Sequence, residues 1–166
     1  MGSSTRSLLL HVVDASGRWC NRGFFRALTD RFPLIPFSTA YANSKKNGDL
    51  KLGQVHIMTE AHLAYDNIDG SDADTIIRQP LASSLSYPII VCLLVCLELN
   101  GGPMNDDALS SCLVQVAALS SALCASVHLP RIGYGSVGFN WYSLERLIKL
   151  HLVEGEHPSS VSVYYF

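Results

Sequence analysis

The stretch Ser126-Val127-His128-Leu129-Pro130-Arg131-Ile132 runs directly into Gly133-Tyr134-Gly135-Ser136-Val137-Gly138, and an apolar helical pattern resumes at Asn140-Trp141. Read in order, these residues are a buried strand, a glycine-rich loop and the start of a helix. That layout suits an anion: glycines let backbone N–H groups approach a phosphate, and the helix adds the positive end of its dipole. The spacing of Gly133, Gly135 and Gly138 also matches the dinucleotide-binding fingerprint. In that fold, however, the motif opens the first βαβ unit and is followed about 20 positions later by an acidic residue. Here it lies close to the C-terminal end, which counts against that reading. Ser136 does not form a nucleophile elbow either, because Tyr134 stands where Gly-x-Ser-x-Gly needs a glycine.

Working outward from this stretch, Asn105 or Asp106 caps a helix in which Leu109, Leu113, Val116, Leu119 and Leu123 make one stripe. Beyond the glycine loop, Trp141, Leu144, Leu147, Ile148, Leu150 and Leu152 predict another helix, and 160–166 alternates as a closing strand. Toward the N-terminus, residues 7–13 predict a buried strand ended by Asp14-Ala15-Ser16-Gly17. Phe24, Phe25, Leu28 and Phe32 then recur at helical spacing up to Pro33. Residues 37–46 predict a second short helix ended by Asn47-Gly48, and 52–58 a strand. Residues 88–99 are apolar on both faces, so periodicity does not separate strand from helix turn; strand is preferred. Alternation of this kind indicates an α/β domain with helices on both sheet faces and ligands beyond the carboxyl ends of the strands. Two strand-to-helix loops carry glycines, 14–23 and 133–140.

A chain of 166 residues, 48% hydrophobic and 16% charged, suits a single domain with a sizeable core. We expect residues 1–6 to be a flexible lead-in and 7–166 one domain, with a variable polar insertion at about 59–105. The formal charge of -2 contains no basic block, so direct nucleic-acid binding is not expected. The longest apolar run is too short to span a membrane, which takes about 20 residues. Five cysteines form an odd set, four of them in apolar surroundings like core residues, which points to a reducing intracellular compartment. Cys92 and Cys96 have no companion pair at zinc-site spacing, so core packing is expected of them rather than metal binding. His11 and His128 fall within predicted strands and read as core or sheet histidines.

The first loop places a carboxylate, two guanidiniums and an indole within ten residues, Asp14 to Gly23. Asp14 would accept from ribose hydroxyls, and Gly17 and Gly23 would let amides face a diphosphate. On spacing alone, an ordinary β-to-α turn with solvated arginines remains an equal alternative.

Together, the residues from Leu10 to Trp19, Gly23-Phe24-Phe25-Arg26-Ala27-Leu28, the stretch from Ser126 to Gly133, Gly138-Phe139-Asn140-Trp141-Tyr142 and Glu145-Arg146-Leu147-Ile148 resemble a macro domain. The likeness is closest to the C-terminal macro domain of poly(ADP-ribose)-activated helicase-type chromatin remodelers, and covers about 7–58 and 106–166. It implies a three-layer α/β/α fold with a mixed central sheet, here lacking the family's usual first strand. It also implies a module that binds ADP-ribose, or poly(ADP-ribose) on modified proteins, in chromatin or DNA-damage signalling in the nucleus, beside an ATPase or helicase module. The resemblance assigns Asp14, Ser16, Gly17, Arg18, Trp19 and Gly23 to one wall of the cleft, and Gly133, Tyr134, Gly135, Ser136, Val137, Gly138 and Phe139 to the other. Tyr134 or Phe139 would stack near the distal ribose or adenine.

The family's Gly-Asp-Val/Ile-Thr turn, whose Asp contacts adenine, has no counterpart ahead of Leu10. The glycohydrolase branch of the family pairs a strand Lys with an Asp in the second loop. Residues 55–59 contain no Lys, and 133–141 contain no carboxylate. We therefore read a binder with no cofactor and no catalytic residues. The alternatives are an ADP-ribosyl hydrolase acting through Asp14 or Asn21, or an interaction domain that has lost its ligand.

Overall fold

A computed structural model of the protein describes residues 6–58, 88–99, 102–132 and 140–165. The loop at 133–139, the start of the lead-in and much of the polar stretch read as an insertion lie outside the described residues.

Strand β1, Ser7–Val13, alternates its side chains between two cores. Leu8, Leu10 and Val12 enter one, while Val13 enters the other with Leu9 packed against it. Helices α1, Gly23–Arg31, and α2, Phe37–Lys46, follow and cover the Val13 face. The short strand β2, Val55–Met58, then pairs antiparallel with β3, Ile89–Val95. The run at 52–58 was expected to be strand throughout, but Gly53 takes a positive φ of 84° and starts the strand later, leaving Leu52 exposed.

Strand β3 sits beside β1 in parallel along its whole length, from Ser7↔Ile89 to Val13↔Val95. It is apolar on both sides because helices cover both faces of the sheet at this point. The range 59–105 assigned to an insertion therefore contains a central strand of the core.

Helix α3, Asp106–Leu123, crosses from β3 over β1 to β4, Ser126–Pro130. Asn105 caps it, its side chain accepting from Ala108 N at 2.9 Å, and Asp106 and Asp107 complement the dipole in the first turn. Cys124 ends it in the left-handed region, φ 50°. Buried Ser120 donates from Oγ to Ala125 O at 2.6 Å, which satisfies its hydroxyl. Helix α4, Trp141–Ile148, runs on through a π-helical turn, Lys149–Val153, and leads to β5, Val161–Tyr164, parallel to β4.

The sheet order is β2-β3-β1-β4-β5, with only β2 antiparallel. With α1 and α2 on one face and α3 and α4 on the other, this is the expected three-layer α/β/α arrangement with a mixed sheet. Each fully buried leucine, such as Leu8, Leu10 or Leu129, contributes roughly 1.5–3 kcal/mol of burial.

Two packing expectations need correction. Leu150 is not in the core but 52% exposed, because it lies two residues beyond buried Ile148 and so on the opposite side of the helix; Leu152 is buried in its place. Three cysteines, not four, are core residues: Cys92, Cys96 and Cys112 are buried, Cys20 is half-buried, and Cys124 is exposed because it occupies the cap of α3. Burial pushes the Cys92 and Cys112 thiols up to about 12, so both are poor nucleophiles.

Candidate functional site

Strands β1 and β4 pair only from Ser7↔Ser126 to Leu9↔His128. Past that point β1 continues to Val13 and β4 to Pro130 without pairing each other, so the two strands part toward their carboxyl ends. The chain leaves β1 toward β3 on one side, while β4 and β5 extend the sheet on the other. This is a topological switch point, where an open α/β sheet forms a ligand crevice. The first loop leaves β1 on one lip of that crevice. On the other lip, Arg131 and Ile132 follow β4, and Asn140 leads into α4.

The first loop is shaped by its own side chains. Asp14 Oδ1 accepts from Ser16 N at 3.0 Å, and Ser16 Oγ accepts from Arg18 N at 3.2 Å, two successive turns built by side-chain mimicry of the backbone. Tyr41 of α2 reaches under the loop and donates from its hydroxyl to Asp14 O, with Asp14 Oδ1 at 3.2 Å. Burial, then the negative charge of Asp14, raises the Tyr41 phenol above its ordinary range, so it stays protonated and remains a donor. Gly17 is buried at φ 73°, and a Cβ there would lie 2.5 Å from Lys45 Cβ, so the loop lies tight on α2 only as glycine. Gly23 also has a positive φ, 57°, with open space around it, and starts α1. Arg18 is exposed on this lip.

Trp19 is placed differently from the other candidates. Its indole stacks on Phe37 at 4.7 Å and meets Phe25 edge-on at 4.8 Å, and Nε1 donates to Thr29 Oγ1 at 3.0 Å. It ties the loop to α1 and α2. Of the sequence-derived residues, Asp14, Ser16, Gly17 and Arg18 share the β1 lip, Trp19 lies within the aromatic cluster and Gly23 starts the helix. Gly133, Tyr134, Gly135, Ser136, Val137, Gly138 and Phe139 lie outside the described residues.

Sequence reasoning missed Tyr41 and Lys45, since nothing local marks a helix residue that braces a loop 27 positions earlier. It also missed the setting of His11. This ring is 7% exposed, with Phe25 edge-on at 4.3 Å and Phe24 at 5.0 Å. Its Nε2 has no hydrogen-bond partner, and burial lowers its pKa to about 3, so it is neutral. Edge-to-face rings are the environment in which an imidazole nitrogen without an oxygen partner costs least. His128 behaves as a sheet histidine, with Nε2 2.7 Å from Ser126 Oγ and Nδ1 2.9 Å from the Tyr164 hydroxyl. Among the described residues, no group of three or more His, Cys, Asp or Glu could hold a metal ion, and no helix is long and apolar enough to cross a membrane.

No protein-family model matches the chain. It is 32% identical over 161 residues to the mouse chromodomain-helicase-DNA-binding protein 1-like, covering 96% of this chain and 16% of that protein. The chain thus spans about a sixth of the length of this relative. A macrodomain protein from Streptomyces coelicolor superposes with a TM-score of 0.65 at 23% identity, covering 100% of this chain and 91% of that one. Thermosipho africanus DarTG, solved in complex with ADP-ribose, superposes with a TM-score of 0.63 at 17% identity, covering 98% of this chain and 39% of its own. The switch-point sheet with its three layers and these likenesses together make the chain a macrodomain, similar in sequence to one segment of the chromodomain-helicase-DNA-binding protein 1-like proteins.

Proposed function

We propose that the chain binds ADP-ribose, free or as the end of a poly(ADP-ribose) chain, in the crevice between the carboxyl ends of β1 and β4. The parting of these two strands at the switch point carries the reading, since it puts the loop starting at Asp14 on one lip and the stems of the glycine loop on the other. In this reading Asp14, Ser16, Gly17, Arg18 and Gly23 border the first side, with Trp19 as their packed support. Gly133, Tyr134, Gly135, Ser136, Val137, Gly138 and Phe139 form the diphosphate side. DarTG, a structural neighbour solved with ADP-ribose, supports this choice of ligand.

Binding is favoured over hydrolysis because Asp14 Oδ1 is occupied by Ser16 N–H and faced by Tyr41, so its bonds shape the loop. The likeness to chromodomain-helicase relatives supports a nuclear, chromatin-associated role beside a helicase module, reading poly(ADP-ribose) in the DNA-damage response.

Calorimetry with ADP-ribose and with oligo(ADP-ribose) tests the reading. Saturable heat is expected with wild type and none with Gly135→Glu, which sets a negative charge where phosphate would lie. Absence of heat from both ligands at high micromolar protein overturns it. Release of ADP-ribose from modified protein would change the reading from binder to hydrolase.

A further inference from the structure

Arg131 is the first residue past β4, and its backbone N donates to Tyr164 O at 2.8 Å, extending the β4–β5 ladder by one rung. Its guanidinium carbon lies 5.3 Å from the ring centroid of Trp141, the first residue of α4, and 5.3 Å from that of Tyr165, which follows β5. The two rings meet edge-on, 6.4 Å apart at 66°. Among the described residues the guanidinium has no carboxylate or other hydrogen-bond acceptor, so contact with the two rings is what holds it. A planar, weakly hydrated guanidinium suits that position, whereas a lysine ammonium does not stack.

The clamp joins three pieces of chain: the end of β4, the start of α4 and the end of β5. Trp141 also packs against the core on the α3 and α4 face, so the clamp is anchored from below. At the start of α4, Asn140 Oδ1 accepts from Tyr142 N at 3.0 Å, which fixes the helix end next to the stacked indole. Arg131 and Trp141 lie on either side of the glycine loop in sequence, so their contact sets the distance and orientation between the loop's two ends.

We propose that Arg131, through Trp141 and Tyr165, is a positioning residue for ligand binding: the clamp fixes the stems that present the second loop to the crevice. This rests on the ADP-ribose reading above. It adds a coupling that the reading does not contain, because Tyr165, 66% exposed and remote in sequence from the loop, becomes a determinant of affinity.

The test uses Tyr165→Ala, Tyr165→Phe, Arg131→Lys and wild type, each measured by calorimetry with ADP-ribose and by thermal melting. Removing one exposed ring leaves the core intact, so the melting temperature of Tyr165→Ala should stay close to wild type. Its affinity should fall about three- to tenfold, as expected for loss of one face of a cation–π pair. Tyr165→Phe keeps the ring and should bind like wild type, while Arg131→Lys should weaken binding at least as much as Tyr165→Ala. Wild-type affinity in Tyr165→Ala, or equal losses in Tyr165→Ala and Tyr165→Phe, overturns the proposal.

If wild type itself binds no ADP-ribose, the functional reading fails and the clamp is judged by amide hydrogen exchange. Faster exchange at residues 140–144 in Tyr165→Ala, with β1 unchanged, sustains it as a device that holds the stems. Unchanged exchange there removes it.

Discussion

His11 shows how a single side chain is decided by what packs on it. A histidine in an apolar strand is unremarkable in sequence, but here Phe24 and Phe25 close over it and keep it neutral, with a pKa lowered to about 3. In the unfolded chain the same ring takes up a proton below about pH 6.5. Stability from this group is therefore complete above pH 6.5 and is lost as pH falls toward 3, at about 1.4 kcal/mol per pH unit. Denaturation of wild type and His11→Leu between pH 6 and 4 should give a pH slope steeper by about that amount in wild type; parallel profiles would remove His11 as the cause. Gly17 is the complementary case at this scale. Its glycine was legible as a turn residue, but the reason no other residue fits, Lys45 Cβ 2.5 Å from where its own Cβ would stand, belongs to a helix 28 positions later.

At the scale of elements, periodicity and end signals were reliable wherever the pattern was local. Strand β1 and helix α2 span the residues expected, Pro33 follows α1 closely, and Asn105 caps α3 as its position before an apolar stripe suggested. Asn105→Ala should cost about 1 kcal/mol, read as a lower urea midpoint with an unchanged m-value, while Asn105→Asp should cost little; a midpoint unchanged by Ala would show that Asp106 and Asp107 suffice for this helix end. Local reading failed where a neighbour chose the outcome. Residues 88–99 were ambiguous because a strand buried on both faces has no period to detect, and they turned out to be the strand beside β1. Leu150 looked like core from its apolarity alone, yet helix phase turns it to solvent.

For the whole molecule, the consequence of the fold is a crevice that neither strand contains by itself. If ADP-ribose binds there, it stabilises the folded state alone, and at about 100 times its dissociation constant the gain is about 2.7 kcal/mol. A thermal melt should therefore rise by several degrees with ADP-ribose; the same concentration of ribose should leave it unmoved. The sequence by itself determined the elements, their α/β alternation, the two glycine-bearing loops and the family they resemble. All of these depend on residues near one another along the chain, through helical and strand spacing, caps and glycine freedom. Only the tertiary structure decided that β3 lies beside β1 and that β1 and β4 part after Leu9↔His128. The same holds for Trp19, which packs inward on Phe37, and for Arg131, which is held between Trp141 and Tyr165. These are contacts between residues far apart in the chain, set by sheet order and by the filling of two cores, and no local pattern encodes which distant side chain will occupy the space.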